Sequence, residues 1–285
     1  MTDQLSFAIT TFLNFELNGF KQEYLSYFLI LTVGVIHGSN DLALLKHIKA
    51  DKKWLKKPLL FYNVLIYVCI LIFFFNLILA FTVFMLASCY HFGEQHFHNK
   101  MISSNVLSRL LYFSYGSMIF SLLFYFNKEE ASTVVLQFLD FDFSFTIFNY
   151  LVVFSLVLTV LLYVLSLNNL RETSRHLHEI LLILIFALLF KYVSLLWGFT
   201  IYFIFWHSIP SIRDQIKIMF GDVNRMNYYQ YFKSSFFYWI LSLIITVILY
   251  FYCITYSINL NTILFTFLTS IIVSHVIVMS FVNRK

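Results

Sequence analysis

Residues 58–97 read PLLFYNVLIYVCILIFFFNLILAFTVFMLASCYHFGEQHF, and the fold class turns on them. From Leu59 to Tyr90 there is no charged residue. The stretch shows none of the period-2 alternation of a half-buried strand. In a bilayer every backbone N–H and C=O must be satisfied within the protein, which here leaves helices. About 20 apolar residues cross the hydrocarbon core as a helix, so this run is too long for one crossing. A break near Asn76 divides it into spans of about 58–75 and 77–97. Pro58 suits the first turn of the earlier span, where a backbone N–H has no helical partner anyway.

The same character extends outward from this stretch. The chain has 285 residues, of which 60% are hydrophobic and only 12% charged. Soluble domains do not have this composition, and an all-α integral membrane protein is expected. The formal charge of +5 does not argue for nucleic acid. Its lysines and arginines sit in short loops between apolar runs, where they set orientation. Cys69, Cys89 and Cys253 fall inside apolar runs with no CxxC spacing, so no disulfide framework is expected. Met1 to Leu17 is acidic before its apolar part and does not read as a cleaved signal peptide. Aromatic residues make up 21% of the chain, and most are read as lipid-facing rather than as tunnel lining.

In chain order the expected spans are about 24–46, 58–75, 77–97, 105–126, 146–166, 178–191, 193–210, 234–255 and 260–281. The second split, near Lys191, divides the long run from Glu179 to Pro210. The lysine-rich segment His47 to Lys57 is the strongest orientation signal and belongs in the cytoplasm. The loops with Lys100 and Arg109, with Arg171 and Arg175, and with Arg213 to Lys233 then also fall inside. The acidic loop Asn127 to Asp142 falls outside. The expectation is a polytopic transmembrane bundle of about eight or nine spans in the cell (inner) membrane, N-terminus out and C-terminus in. Residues 1–285 read as a single domain without linker or repeat.

The polar exceptions inside these runs are histidines. His37 lies in GVIHGSND, residues 34–41, four positions before Asp41. His37, His91 and His275 each stand nine positions before a basic residue, Lys46, Lys100 and Arg284, and His207 stands six before Arg213. At about 1.5 Å per residue, all four lie roughly 9–14 Å inside the cytoplasmic ends of their helices. Four histidines at one depth can converge on one metal ion. Ionisable groups at membrane depth are by default functional candidates. Asp41 and Glu94 lie one turn closer to the cytoplasm, where a carboxylate can accept the other imidazole N–H of a metal-bound histidine. His96 and Ser211 share that level, whereas His47, His98, His176 and His178 read as loop residues. An all-imidazole set suits iron, copper or zinc. A site in hydrocarbon, open to apolar molecules and dioxygen, favours redox iron.

Four segments, GVIHGSNDLALLK (34–46), ASCYHFGEQHF (87–97), FIFWHSIPSIRDQ (203–215) and SHVIVM (274–279), together resemble the Brp/Blh family of bacterial and archaeal carotenoid-cleaving membrane enzymes. The matching motifs are HGxxD, SxxHFG, HxxxH and a proline-histidine pair near the C-terminus. The resemblance implies an iron-dependent β-carotene 15,15′-dioxygenase. It implies Fe(2+) held by His37, His91 and His207, and two retinal molecules formed with dioxygen. This chain has Ser211 where HxxxH would place its second histidine, and Ser274 where proline is expected. His275 is the first candidate for the fourth ligand and His96 its rival.

On this reading β-carotene, or a related carotenoid, enters from the lipid membrane. Tyr90, Phe92, Trp197, Phe203 and Trp206 are candidate polyene contacts. No nicotinamide or flavin fingerprint is present. A histidine-based transporter or channel for protons or metal ions is the alternative. It calls for polar residues strung along a path to both sides, whereas here the outer halves of the spans are nearly all apolar. A di-iron desaturase would need HxxHH-type pairs, which the chain does not contain.

Overall fold

The computed structural model describes residues 22–47, 58–139, 144–171, 176–256 and 260–282. Among the described residues, apart from short 3-10 turns, ten helices follow in order: α1 (Gln22–His47), α2 (Pro58–Phe75), α3 (Leu77–Phe97), α4 (Val106–Phe126) and α5 (Lys128–Leu139). They continue as α6 (Thr146–Leu165), α7 (His176–Tyr192), α8 (Leu195–Phe220), α9 (Arg225–Thr255) and α10 (Leu260–Val282). Among the described residues there is no strand, only an isolated bridge between Met101 and Leu170.

Six of these helices, α1, α3, α4, α6, α8 and α9, are long and apolar enough to cross a membrane, by length and composition. Shorter apolar stretches lie at Leu60–Ile72 and Leu268–Val282. Leucine, valine and phenylalanine side chains such as Val153, Phe154, Val157 and Leu161 on α6 stand exposed, as on a lipid-facing surface. The breaks expected near Asn76 and Lys191 fall at Asn76, between α2 and α3, and at Val193–Ser194, between α7 and α8. Two expectations are corrected. The stretch after Asn127 is not a loop but helix α5, whose first turn carries Glu129 and Glu130 where a helix dipole favours acids. The seventh span does not end at Pro210, because α8 continues to Phe220. The lysine-rich segment 48–57, the N-terminal residues 1–21, Asp140, Asp142, Arg175, Arg284 and Lys285, on which the orientation reading leans, lie outside the described residues.

The chain forms two compact units, with the crossings at 26/27, 87/88 and 202/203 falling within helices. The first holds 88–202 together with the residues up to Ser26. Its core is the buried face of α4, including Leu111, Tyr112, Tyr115, Met118 and Leu122. Here α3 and α4 touch backbone to backbone. A Cβ on Gly93 would lie 1.8 Å from the Tyr112 carbonyl oxygen, and one on Gly116 would lie 1.8 Å from that of Cys89. Such contact needs glycine on both helices. A hydrogen bond of 2.5 Å between Ser121 and Ser155 ties α4 to α6.

The second unit holds 27–87 and 203–285. Leu44 and Leu45 of α1 pack with Val278, Met279 and Val282 of α10, and Phe61, Tyr62 and Met219 close around them. Trp239 of α9 donates its indole N–H to the Thr32 carbonyl at 3.0 Å. This apolar cluster lies immediately beside the buried polar groups described next.

Candidate metal centre

Helix α1 is irregular on both sides of His37. Residues Ile30–Gly34 form a π-turn, and Gly38–Asn40 a 3-10 turn closed by Asp41 N–H donating to the Gly38 carbonyl. Gly34 is required by a neighbour, since a Cβ there would lie 2.4 Å from Cε1 of Phe203. In α8, Tyr202–Ser208 form a second π-segment that carries Phe203 and His207. It ends just before Pro210, which has no N–H for the usual bond and whose ring clashes with the carbonyl four residues back. Local π-segments of this kind recur at functional sites.

Three imidazoles meet within this second unit. The His37 ring lies 5.0 Å from that of His207 and 4.8 Å from that of His275, edge to face in both cases. Phe203 stacks on His207 at 5.4 Å and meets His37 at 5.8 Å. All four rings are buried. Asp41, 1% exposed, places Oδ1 2.7 Å from Nδ1 of His275, and its Oδ2 accepts from the Tyr62 hydroxyl at 3.1 Å. With Asp41 Oδ1 as the acceptor, Nδ1 of His275 carries the proton and donates, and Nε2 carries the lone pair. Asp41 thus serves His275 and not His37, one helical turn away. A 3-10 step turns the chain about 120°, against about 100° in an α-helix, so three such steps swing Asp41 about 60° relative to His37.

Most of the remaining candidates belong to the first unit, while Trp206 and Ser211 belong to the second. Glu94 accepts from the Tyr90 hydroxyl at 3.2 Å. His91 is buried on α3 within that unit. His96 has its Nε2 2.6 Å from Glu179 Oε2 and 2.9 Å from Lys100 Nζ, and its ring stacks on Tyr115 at 4.4 Å. That nitrogen is committed to an ion-paired cluster. Phe92 stacks on Phe120 at 5.5 Å, and Trp197 is half-buried on α8. Trp206, half-buried, falls in the second unit. Ser211, one turn beyond His207, is buried and accepts from the Gln215 amide at 3.2 Å.

Among the described residues, no three His, Cys, Asp or Glu side chains are gathered as ligands of a single ion. What fits a metal is the donor chemistry. The imidazoles of His37, His207 and His275 are in contact, and one is tethered through Nδ1 by a carboxylate. Buried Nδ1 of His37 makes no hydrogen bond of standard geometry, apart from a weak contact with the Gly34 backbone. Neutral imidazoles suit Fe(II). Sequence reasoning missed Tyr62, Tyr231 and Gln215. For Gln215 there was a signal, since it extends the His207–Ser211 face by one more turn. For the two tyrosines, among 19 in the chain, there was none.

A family model described as beta-carotene 15,15′-dioxygenase matches residues 28–283. No curated protein and no solved structure matches the chain.

Proposed function

The chain belongs to the beta-carotene 15,15′-dioxygenase family, and from that premise we propose that it is an iron-dependent enzyme that cleaves the central double bond of β-carotene to two retinal molecules. The observation that carries this is the buried Asp41–His275 pair set against the imidazoles of His37 and His207. These three histidines, all in the second unit, are the proposed ligands. Iron held by these residues would supply the redox chemistry for cleavage of a polyene with dioxygen. Asp41 keeps His275 in the tautomer that offers Nε2, and Tyr62 holds the second carboxylate oxygen. Burial of Asp41 and of the three imidazoles excludes water from the reacting centre. Phe203 packs its ring face against His207 and provides an apolar wall for a polyene. Trp206, in the same unit, is the other proposed contact for a substrate arriving from the bilayer.

The test is expression in bacterial cells that accumulate β-carotene, with retinal followed by chromatography and iron by elemental analysis of the purified protein. Retinal is expected from the native chain and not from His37→Ala. A native chain that binds iron and leaves β-carotene untouched overturns the substrate assignment. One that binds no iron overturns the metal assignment.

A further inference from the structure

A second polar network, built from Tyr231, Gln215, Ser211 and Asn40, meets the His37 turn. Tyr231 of α9 brings its hydroxyl 2.6 Å from Gln215 Oε1 and 3.3 Å from the His37 carbonyl oxygen. The Gln215 amide nitrogen lies 3.2 Å from Ser211 Oγ. Asn40, inside the 3-10 turn, donates to the Tyr231 carbonyl at 3.0 Å and accepts from the Ser234 hydroxyl at 2.7 Å. Tyr231, Gln215, Ser211 and Asn40 are all buried. Buried polar groups are kept where every partner is satisfied, and a satisfied network makes its surroundings rigid.

The Tyr231 hydroxyl donates to Gln215 Oε1 and shares its proton with the more distant carbonyl of His37 in a three-centre bond, and the Gln215 amide donates on to Ser211 Oγ. The His37 carbonyl opens the 3-10 turn. The bonds of such a turn are poorer than α-helical ones, and each carbonyl has a second lone pair for another donor.

We propose that Tyr231, with Gln215 and Ser211 behind it, is a positioning residue that holds the 3-10 turn between His37 and Asp41. The proposal rests on the functional reading above. The turn sets the angle between the His37 imidazole and the Asp41 carboxylate, so its loss lets Asp41 swing away from His275. Ser211 thereby has a role as the far end of this chain, which requires no bond to a metal.

The test uses full-length protein in detergent with Co(II) as a spectroscopic probe. Tyr231→Phe removes only the hydroxyl. It is expected to bind Co(II) at the native stoichiometry with a shifted ligand-field spectrum. Retinal formation is expected to fall about 10–100-fold in kcat, with KM for β-carotene held. Amide exchange over residues 37–45 is expected to rise while that of 268–282 stays. A native spectrum together with native exchange overturns the proposal. If Tyr231→Phe does not fold, Gln215→Leu is read by the same measures, and an unchanged spectrum and exchange again overturn it. If the native chain takes no Co(II) and forms no retinal, the functional reading fails. The positioning role is then still decided by exchange of the 37–45 segment in metal-free protein.

Discussion

Replacing Asp41 by alanine removes the acceptor from two donors at once, His275 Nδ1–H and the Tyr62 hydroxyl. Each buried donor left without a partner costs about 1–3 kcal/mol, so the sum is about 2–6 kcal/mol. Tyr62 is only half-buried and can turn its hydroxyl, which favours the lower part of that range. The lower part, about 2–4 kcal/mol, is about one and a half to three powers of ten in the unfolding equilibrium. Asp41→Asn keeps the shape and a carbonyl to accept from His275, so its loss is expected to be well under half of that. The assay is denaturant unfolding in mixed micelles followed by tryptophan fluorescence, with iron content measured on the same preparations. Iron is expected to fall with Asp41→Ala. The reasoning is refuted if Asp41→Ala unfolds within about 1 kcal/mol of the native chain, or if Asp41→Asn costs as much as Asp41→Ala.

Other residues give further expected outcomes. His96→Gln breaks the cluster with Glu179 and Lys100 and is expected to lower thermal stability while leaving iron per chain unchanged; a halved iron content would return His96 to the ligand set. Gly116→Ala puts a methyl group 1.8 Å from the Cys89 carbonyl oxygen, and the folded protein is expected to be lost on size-exclusion chromatography. Gly198→Ala, whose nearest neighbours are side-chain atoms at 3.0–3.2 Å, is expected to survive, and equal behaviour of the two would sink the backbone-contact argument. Gly34→Ala drives a methyl group into the Phe203 ring that stacks on His207. Iron retention is expected to fall and to recover in the double variant with Phe203→Leu, and a lack of recovery counts against the contact.

Much of the helical framework could be read in the sequence because bilayer physics leaves few choices. The break at Asn76 follows from length alone, since an apolar run exceeding one crossing must turn somewhere and an amide is its only interruption in the middle. Helix α5 was harder. Its residues, KEEASTVVLQFL, look like an acidic loop when charge is counted, and like a helix only when Glu129 and Glu130 are recognised as first-turn acids. The extension of α8 past Pro210 was also harder to read. The expected span ends there, ahead of Arg213, whereas the π-segment before the proline absorbs the missing bond and the helix goes on.

The candidate site was legible in its residue types and not in its partnerships. His37 and Asp41 stand four apart, and ideal helical geometry pairs them on one face. The pairing actually formed, Asp41 with His275, depends on the 3-10 turn at Gly38–Asn40. No helical wheel contains that turn, because it is held by groups distant in sequence, Tyr231 and Ser234 on α9. The same limit applies to His96. Its depth matched that of a ligand, yet depth along a helix says nothing about azimuth, and the azimuth points Nε2 at Glu179. Composition therefore identified which groups are too costly to bury without purpose, while the irregular turns decided which of them meet. The Asp41 and Tyr231 variants probe two sides of one such turn. If the turn sets the site, both should loosen residues 37–45; Asp41→Ala takes the carboxylate from His275 outright, whereas Tyr231→Phe lets it swing away.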